Sequence, residues 1–567
     1  MSELPPFTIF FMAALLALAS RGLIRKVLLL ATPVLAAAHI FSNIDAGLIY
    51  NYTILNLDLT PIRADKLSLL FAYLFCLASL IASIYALHVD DTKQEIAGLV
   101  YAGSALGAVF AGDLLTLFIF WELLAISSVV FIWARGTERA ITTGLRYLII
   151  QVTSGVFLLA GALLHYKTTG SLAFGHIGLG TTAGTLILIA FGIKSAFPFL
   201  HSWLTDAYPE ATATGTVFLS AFTTKVAVYA LARGFAGEEI LVYVGVTMAC
   251  FPIFYAVIEN DLRKVLAYSL INQVGFMVTG IGIGTALAIN GAVAHAFSDV
   301  IFKGLLFMTM GAVLYRVGHV KGSDLGGLYK TMPKTTVLCI VGALSISAFP
   351  LFSGFVSKSM VMTAMMQENY SYLWLFMLFA SAGVFHHAGI KIPYFAFFAH
   401  DSGLRPKEAP VNMLVAMTFA AVLCIFIGSQ PQYLYALLPM KVEYWPYDVT
   451  HVLAQLQLLF FSAMAFVWLN KKGLYPPELP STNIDAEWLY RKLLPASVHG
   501  GVTILANMKG TFLTMIRSPI NGIRASVSQS QIASKYHLAA SWPTGSMVYW
   551  IAIILVAYLL LDSFVYR

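Results

Sequence analysis

Apolar residues run in stretches of about 20 along almost the whole chain. A helix rising 1.5 Å per residue needs about that length to cross a hydrocarbon core of about 30 Å. In that medium every backbone N–H and C=O must be satisfied within the segment, so the pattern restricts the fold to an all-α bundle of membrane helices. Composition agrees, with 59% of the 567 residues hydrophobic and 11% charged, against roughly 25% charged in a soluble domain. Sixteen spans are predicted, near 5–22, 27–44, 67–88, 94–112, 114–134, 143–166, 180–200, 213–233, 239–258, 264–286, 289–315, 336–366, 372–399, 412–430, 451–470 and 545–564. The stretch 336–366 is too long for one span and carries Pro350 and Gly354, which predicts a broken helix.

The net charge of +7 is topological in origin and does not point to a nucleic-acid partner. With the N-terminus placed outside, the outward loops hold only Arg63, Lys66, Lys167, Arg233, Lys441 and Arg567, five lysines lie in spans, and every other basic residue faces inward. That bias is the positive-inside rule, and it predicts a multi-pass inner-membrane protein with both termini on the outer side. The first span lacks a small-residue cleavage site and is followed at once by another, so it is expected to be a retained helix. Cys76, Cys250, Cys339 and Cys424 fall in separate spans, without the close spacings used for zinc or iron–sulfur ligation. Gly280-Ile-Gly-Ile-Gly284 follows no strand, so it does not read as a dinucleotide loop. No cofactor and no metal site is expected.

Charged residues inside the spans are the candidate working groups, because a buried charge costs several kcal/mol and is kept mainly where it faces a protein interior or a water path. Glu122 lies near the middle of the fifth span, too deep to reach water. Lys194 stands four residues before Pro198, which predicts a break in that helix beside the lysine. His201, Asp206 and Arg146 are accessory candidates around that break. Lys225 sits at mid-span. His295, Asp299 and Lys303 repeat at i, i+4 and i+8, so they share one helix face with about 6 Å of rise between neighbours, a ladder suited to passing protons along the axis. Lys358 follows Ser347-Ala-Phe-Pro-Leu, which nearly repeats Ser195-Ala-Phe-Pro-Phe beside Lys194 and suggests two related halves with paired broken helices. Lys391, with His386 and His387, lies nearer the inner end of its span, where snorkelling is an equal alternative.

Together these residues resemble the antiporter-like membrane subunits shared by respiratory complex I, membrane-bound hydrogenases and Mrp-type multisubunit sodium/proton antiporters. The resemblance rests on Asp65-Lys-Leu-Ser-Leu-Leu-Phe, Phe120-Trp-Glu-Leu, Gly192-Ile-Lys, His201-Ser-Trp-Leu-Thr-Asp-Ala-Tyr-Pro-Glu-Ala, Asp261-Leu-Arg-Lys-Val-Leu-Ala-Tyr-Ser and Ser353-Gly-Phe-Val-Ser-Lys. It implies two inverted five-helix repeats, each forming a half-channel. Glu122, Lys194, Lys225 and Lys358 would be the relay residues, with His295 and Lys303 in the linking chain. Asp299 departs from the pattern, standing where many members have a second histidine. That departure and the loop Gly322-Ser-Asp-Leu-Gly-Gly-Leu are similar to the D-type Mrp branch. The tail after Lys471 resembles the lateral extension of the largest complex I subunit, and the membrane partner of an inorganic-carbon uptake complex shares the same core.

The resulting organisation is 1–93 (N-terminal helices), 94–235 and 236–400 (the two half-channels), 401–470 (closing helices), 471–544 (an inward lateral segment) and 545–567 (a final span). Within the lateral segment Val502, Leu505, Met508, Phe512 and Met515 recur at helical spacing with Lys509 and Arg517 nearby, and Pro495 and Gly500-Gly501 are expected to split it into two pieces. The expected function is that of a transporter subunit, not an enzyme in itself. It would exchange protons for sodium or another monovalent cation within a hetero-oligomer of membrane subunits in the lipid bilayer. The alternative is a proton-pumping arm of a redox complex.

Overall fold

Polar residues between the apolar runs set the helix boundaries. Asp65, Asp91, Asp113, Thr137, Thr181, Asp261, Thr285 and Asp448 each accept a backbone N–H from the first turn of the helix that follows, meeting donors that no intrahelical partner can reach. The computed structural model describes residues 4–54, 57–479, 483–503 and 544–565. It divides into two units, 1–486 and 487–567.

The first unit begins with α1 (Pro6–Ala19), α2 (Gly22–Asn43), strands β1 (Ile49–Ile54) and β2 (Leu57–Arg63), α3 (Lys66–Ala86), α4 (Thr92–Phe110), α5 (Leu114–Trp133) and α6 (Glu138–Thr169). Next come α7 (Thr182–Ser195), α8 (Ser202–Glu210), α9 (Gly215–Ala221), α10 (Thr223–Gly234), α11 (Ile240–Ile258), α12 (Leu262–Ile283) and α13 (Ala286–Val317). The unit closes with α14 (Pro333–Ile346), α15 (Ser353–Gln367), α16 (Ser371–Val384), α17 (Val411–Ser429), α18 (Pro431–Tyr435) and α19 (Val449–Lys471). After α16 the chain continues in wide π-type turns over Phe385–Lys391 and Tyr394–Phe398.

Among the described residues 11 helices are long and apolar enough to cross a membrane, fewer than the sixteen expected. Pro6–Ala19, Thr182–Ser195 and Pro333–Ile346 are apolar but shorter, the last two because they end at breaks. The bundle is also not purely helical. Residues 49–63, expected as a loop, form an antiparallel hairpin pairing Ile49 with Arg63 and Ile54 with Leu57, and Ile49-Tyr-Asn-Tyr-Thr-Ile54 is rich in strand formers. Asp113 ties that hairpin to α5, accepting from Thr60 N at 2.7 Å and Thr116 N at 2.7 Å.

Both predicted breaks are present, and they match position for position. After α7, Ala196 and Phe199 adopt φ of 64° and 67°; after α14, Ala348 and Leu351 adopt 57° and 74°. Left-handed backbone costs a non-glycine residue about 1–2 kcal/mol, so each Ala-Phe-Pro corner is held by its surroundings. The break is at 347–352, and Gly354 lies inside α15, where an added Cβ would collide with Ser345 O. A second correspondence joins the same regions. Leu114 N and Gly112 O bond to Leu172 O and Phe174 N, while Leu262 N and Asn260 O bond to Val320 O and Gly322 N.

Helices α12 and α13 form the centre, each with 94% of its apolar window buried, whereas α19 at 11% is peripheral. Gly245 and Gly275 let the backbones of α11 and α12 touch, the small-residue device of membrane packing.

Taken by itself, the second unit is helical over 487–503 and over Thr544–Val565. The first of these runs through Pro495 and Gly500-Gly501, which were expected to interrupt it. The wide turn at Leu489–Leu493 relieves the bonding that Pro495 cannot supply. Val502 is exposed; Leu505, Met508, Lys509, Phe512, Met515 and Arg517 lie outside the described residues.

Candidate proton-transfer site

Lys194 ends α7 just before the first break, and its Nζ donates to Trp121 O at 2.6 Å and sits 4.8 Å from the Trp121 ring centroid. Glu122, the next residue on α5, points its carboxyl into a notch that Gly155 leaves on α6, where an added Cβ would overlap Glu122 Oε1. That oxygen is enclosed and accepts no hydrogen bond, and the two side chains form no ion pair within the usual contact distance. Glu122 and Lys194 thus stand on α5 and α7, neighbouring but unlocked.

The centre of the molecule holds the second group. Lys225, one turn into α10, lies 2.6 Å from Asp299 Oδ2 on α13 and also donates to Ser220 O at 3.1 Å. The carboxylate oxygens have no well-aligned hydrogen bond, so the pair is held by charge and packing. Lys303 donates to Ser269 Oγ on α12 at 2.7 Å. His295 Nε2 faces Gln273 Oε1 at 3.0 Å, and its Nδ1 faces Ser357 Oγ at 3.0 Å. No direct hydrogen bond joins the three rungs of the ladder on α13 to one another. Each rung is tied to a neighbouring helix, His295 to α12 and α15, Asp299 to α10 and Lys303 to α12, because side chains one turn apart on a packed central helix find partners across the interface before they find each other.

Lys358, on α15 after the second break, donates to Ile346 O at 3.2 Å and lies 4.8 Å from the Phe276 ring centroid. It lines a cavity of about 370 Å³, bounded also by Ser359, Ser381, His451 and Gln455. Lys391 differs in kind. Its Nζ donates to Ala256 O, Val257 O and Glu259 O at 3.2, 2.6 and 2.7 Å and lies 2.9 Å from Glu478 Oε1. An ammonium has three donors, and these are all engaged at the C-terminal end of α11, where a cation is favoured. Snorkelling is excluded because the side chain is fully buried.

His386 packs against the Phe466 and Tyr475 rings, and His387 is buried with both ring nitrogens unpartnered. Arg146 and Asp206 pair at 2.8 Å, with Asp206 one turn into α8. His201 Nε2 lies 3.1 Å from Asp485 Oδ1. Gln273, Ser269, Ser357, Glu478 and Asp485 escaped the sequence reading: nothing in an uncharged polar side chain, or in a carboxylate far along the chain, signals which buried cation it will meet. Among the described residues no three His, Cys, Asp or Glu side chains converge as metal ligands.

Residues 111–385, which carry every group from Glu122 to Lys358, match the family model described as NADH:quinone oxidoreductase/Mrp antiporter, TM. This core, just under half of the chain, is similar to that family. Two relatives illustrate its breadth. The chain is 32% identical to the D-type subunit of the Na(+)/H(+) antiporter of Alkalihalophilus pseudofirmus over 285 residues, 47% of this chain and 58% of that one. It is 34% identical to the N-type subunit of the NADH-quinone oxidoreductase of Desulforudis audaxviator over 281 residues, 46% of this chain and 56% of that one. The match thus spans less than two thirds of either relative. A chain from the membrane-bound sulfane sulfur reductase, an archaeal respiratory membrane complex, has the same fold, with a TM-score of 0.72 at 22% identity over 99% of this chain and 100% of its own. The antiporter/oxidoreductase family module is therefore that of a multi-pass membrane protein related to subunits of larger complexes.

Proposed function

We propose that this chain is the proton-translocating membrane subunit of a multisubunit monovalent cation/proton antiporter, with sodium as the exchanged cation, and that it works in the inner membrane with both termini outside. One observation carries the reading. Lys194, Lys303 and Lys358 each make a single hydrogen bond inside the bundle, whereas Lys391 engages all its donors. A proton can leave or join the first three without dismantling the packing. The matched breaks and the matched backbone bridges support two related halves, in line with the inverted repeats and half-channel boundaries expected from the sequence.

In this mechanism Glu122 and Lys194 share a proton in the first half. Asp299 is the movable anion: it faces Lys225 now, but Lys303 lies one turn along the same helix face, about 6 Å away in rise. A proton arriving on Lys303 draws the carboxylate from Lys225, and its departure returns it. His295 has a matching device. Gln273 Nε2 donates to Asn272 Oδ1 at 2.6 Å, which turns Gln273 Oε1 toward His295 and makes Nε2 a donor. Ser357 can offer its one hydroxyl proton to Nδ1 or to Ser353 O, 3.1 Å away. Rotation of that hydroxyl accommodates either charge state of the imidazole. Lys358 and its cavity would form the exit of the second half.

The test is proton flux in vesicles carrying the assembled complex, driven by an imposed sodium gradient without electron donor or acceptor. Lys194→Ala and Glu122→Ala should largely abolish it at matched insertion. Lys194→Arg should fail as well, because guanidinium stays protonated. Near-wild-type flux in Lys194→Ala would overturn the assignment. The second reading, a proton-pumping arm of a redox complex, draws support from the similarity to a component of a quinone oxidoreductase. It expects flux only when an electron donor and acceptor are supplied.

A further inference from the structure

The chain segment that follows α19 returns to the end of the first break, where Asp485 meets His201. Asp485 there is buried, with its two oxygens 3.1 and 3.2 Å from His201 Nε2. The same carboxylate accepts from Tyr268 OH at 2.7 Å and from Ala486 N at 2.6 Å. All of these neighbours can donate, so the site suits an ionised carboxylate. Burial works against that charge, but the bonds from His201, Tyr268 and Ala486 outweigh it and hold the Asp485 carboxyl below its ordinary value.

His201 is equally enclosed, 2% exposed, and it sits at the point where the first break ends and α8 begins. Its Nε2 must donate to a carboxylate that has only acceptors. Its Nδ1 is left buried without a partner. A histidine whose one nitrogen is fixed by a carboxylate has its tautomer set and its other nitrogen free as a base. The charged and titratable groups around it are few. Asp485 comes from the returning segment and Tyr268 from α12, with Tyr268 stacked on Tyr255 of α11 at 5.1 Å. Phe251 covers the ring at 4.7 Å, and Asp206 on α8 is already paired with Arg146.

We propose that Asp485 is a positioning residue for proton transfer: it fixes His201 as the Nε2–H tautomer, so that His201 Nδ1 serves as the proton-accepting atom at the mouth of the first broken helix. The inference deepens the proton-translocation reading and rests on it. No new bond is required beyond transfer of one proton, from the medium to Nδ1 and onward toward Lys194. The chain past α19 thereby contributes a residue to the first half-channel and is not merely a tether.

Proton flux across a pH series, with the full chain in its assembled complex, tests this. Asp485→Asn removes the carboxylate that fixes the ring, so the His201-dependent limb of the profile should move. Asp485→Glu should keep the limb near its original place. In a His201→Gln background, Asp485→Asn should move nothing further. A uniform fall in flux with the limb unmoved would make Asp485 a structural clamp and overturn the proposal. Should the wild type carry no flux under either driving force, the parent reading fails separately. The tautomer is then read by solid-state NMR of ¹⁵N-histidine-labelled protein, with the His201 signal assigned by its loss in His201→Gln. An unprotonated Nδ1 that changes in Asp485→Asn supports the fixed tautomer, and an unchanged signal rejects it.

Discussion

Lys225 Nζ and Asp299 Oδ2 face each other at 2.6 Å from different helices, with both side chains fully enclosed. Removing one partner of a buried pair leaves an uncompensated charge and typically costs about 3–5 kcal/mol, whereas replacing both with apolar residues is often neutral or stabilising. Asp299→Asn should therefore lower thermal stability and abolish transport, and Lys225→Met should do the same. The double variant Lys225→Met/Asp299→Leu should recover stability but not flux. A double variant as unstable as either single one would show that the pair is not what the singles disturb.

Gly155 is the position at which the Glu122 carboxyl is accommodated. Gly155→Ala should displace that carboxyl, because an added Cβ would overlap it, and should cut proton flux severely while the protein still inserts. Gly304→Ala is the matched control. It lies beside Lys303 on α13, yet a Cβ there meets nothing within 4 Å. Equal flux in the two variants would remove the notch from the mechanism.

The spans, the two breaks and the buried lysines were legible because each has a local cause: apolar runs, an Ala-Phe-Pro corner, a charge where none should be. What the buried charges do was less legible. Helix spacing alone makes His295, Asp299 and Lys303 a ladder. The ion pair from Asp299 to Lys225 depends on a contact between residues 74 positions apart in sequence. Lys391 and Lys194 look alike as lysines in apolar helices. Only the carbonyls at the end of α11 separate a saturated ammonium from one with donors to spare. The hairpin at 49–63 was missed because its two strands are short and lie between membrane spans.

That contrast between lysines is directly testable. Lys391→Met should destabilise the protein, since it frees three carbonyls and leaves Glu478 without its cation, yet flux per folded molecule should persist. Lys358→Met should do the reverse, leaving thermal unfolding little changed and removing flux. Unfolding midpoints and flux at matched folded amount decide it, and loss of flux without loss of stability in Lys391→Met would move that residue into the relay.

The segment after α19 carries two buried carboxylates with opposite pH signatures. Burial raises Glu478 above its ordinary value, outweighing the nearby Lys391, and Glu259 adds to the rise. A raised folded-state value means the folded protein binds the proton more tightly, so the stability it contributes is full below the unfolded value and is lost as pH rises through the folded one. Asp485 is depressed and behaves oppositely: its contribution is present above the unfolded value and is lost as pH falls through the folded one. Thermal unfolding of the full chain across the acid range, wild type against Glu478→Gln and Asp485→Asn, should therefore give difference curves of opposite slope. Two curves of the same sign would mean that one of these carboxylates does not occupy the charge environment its neighbours create.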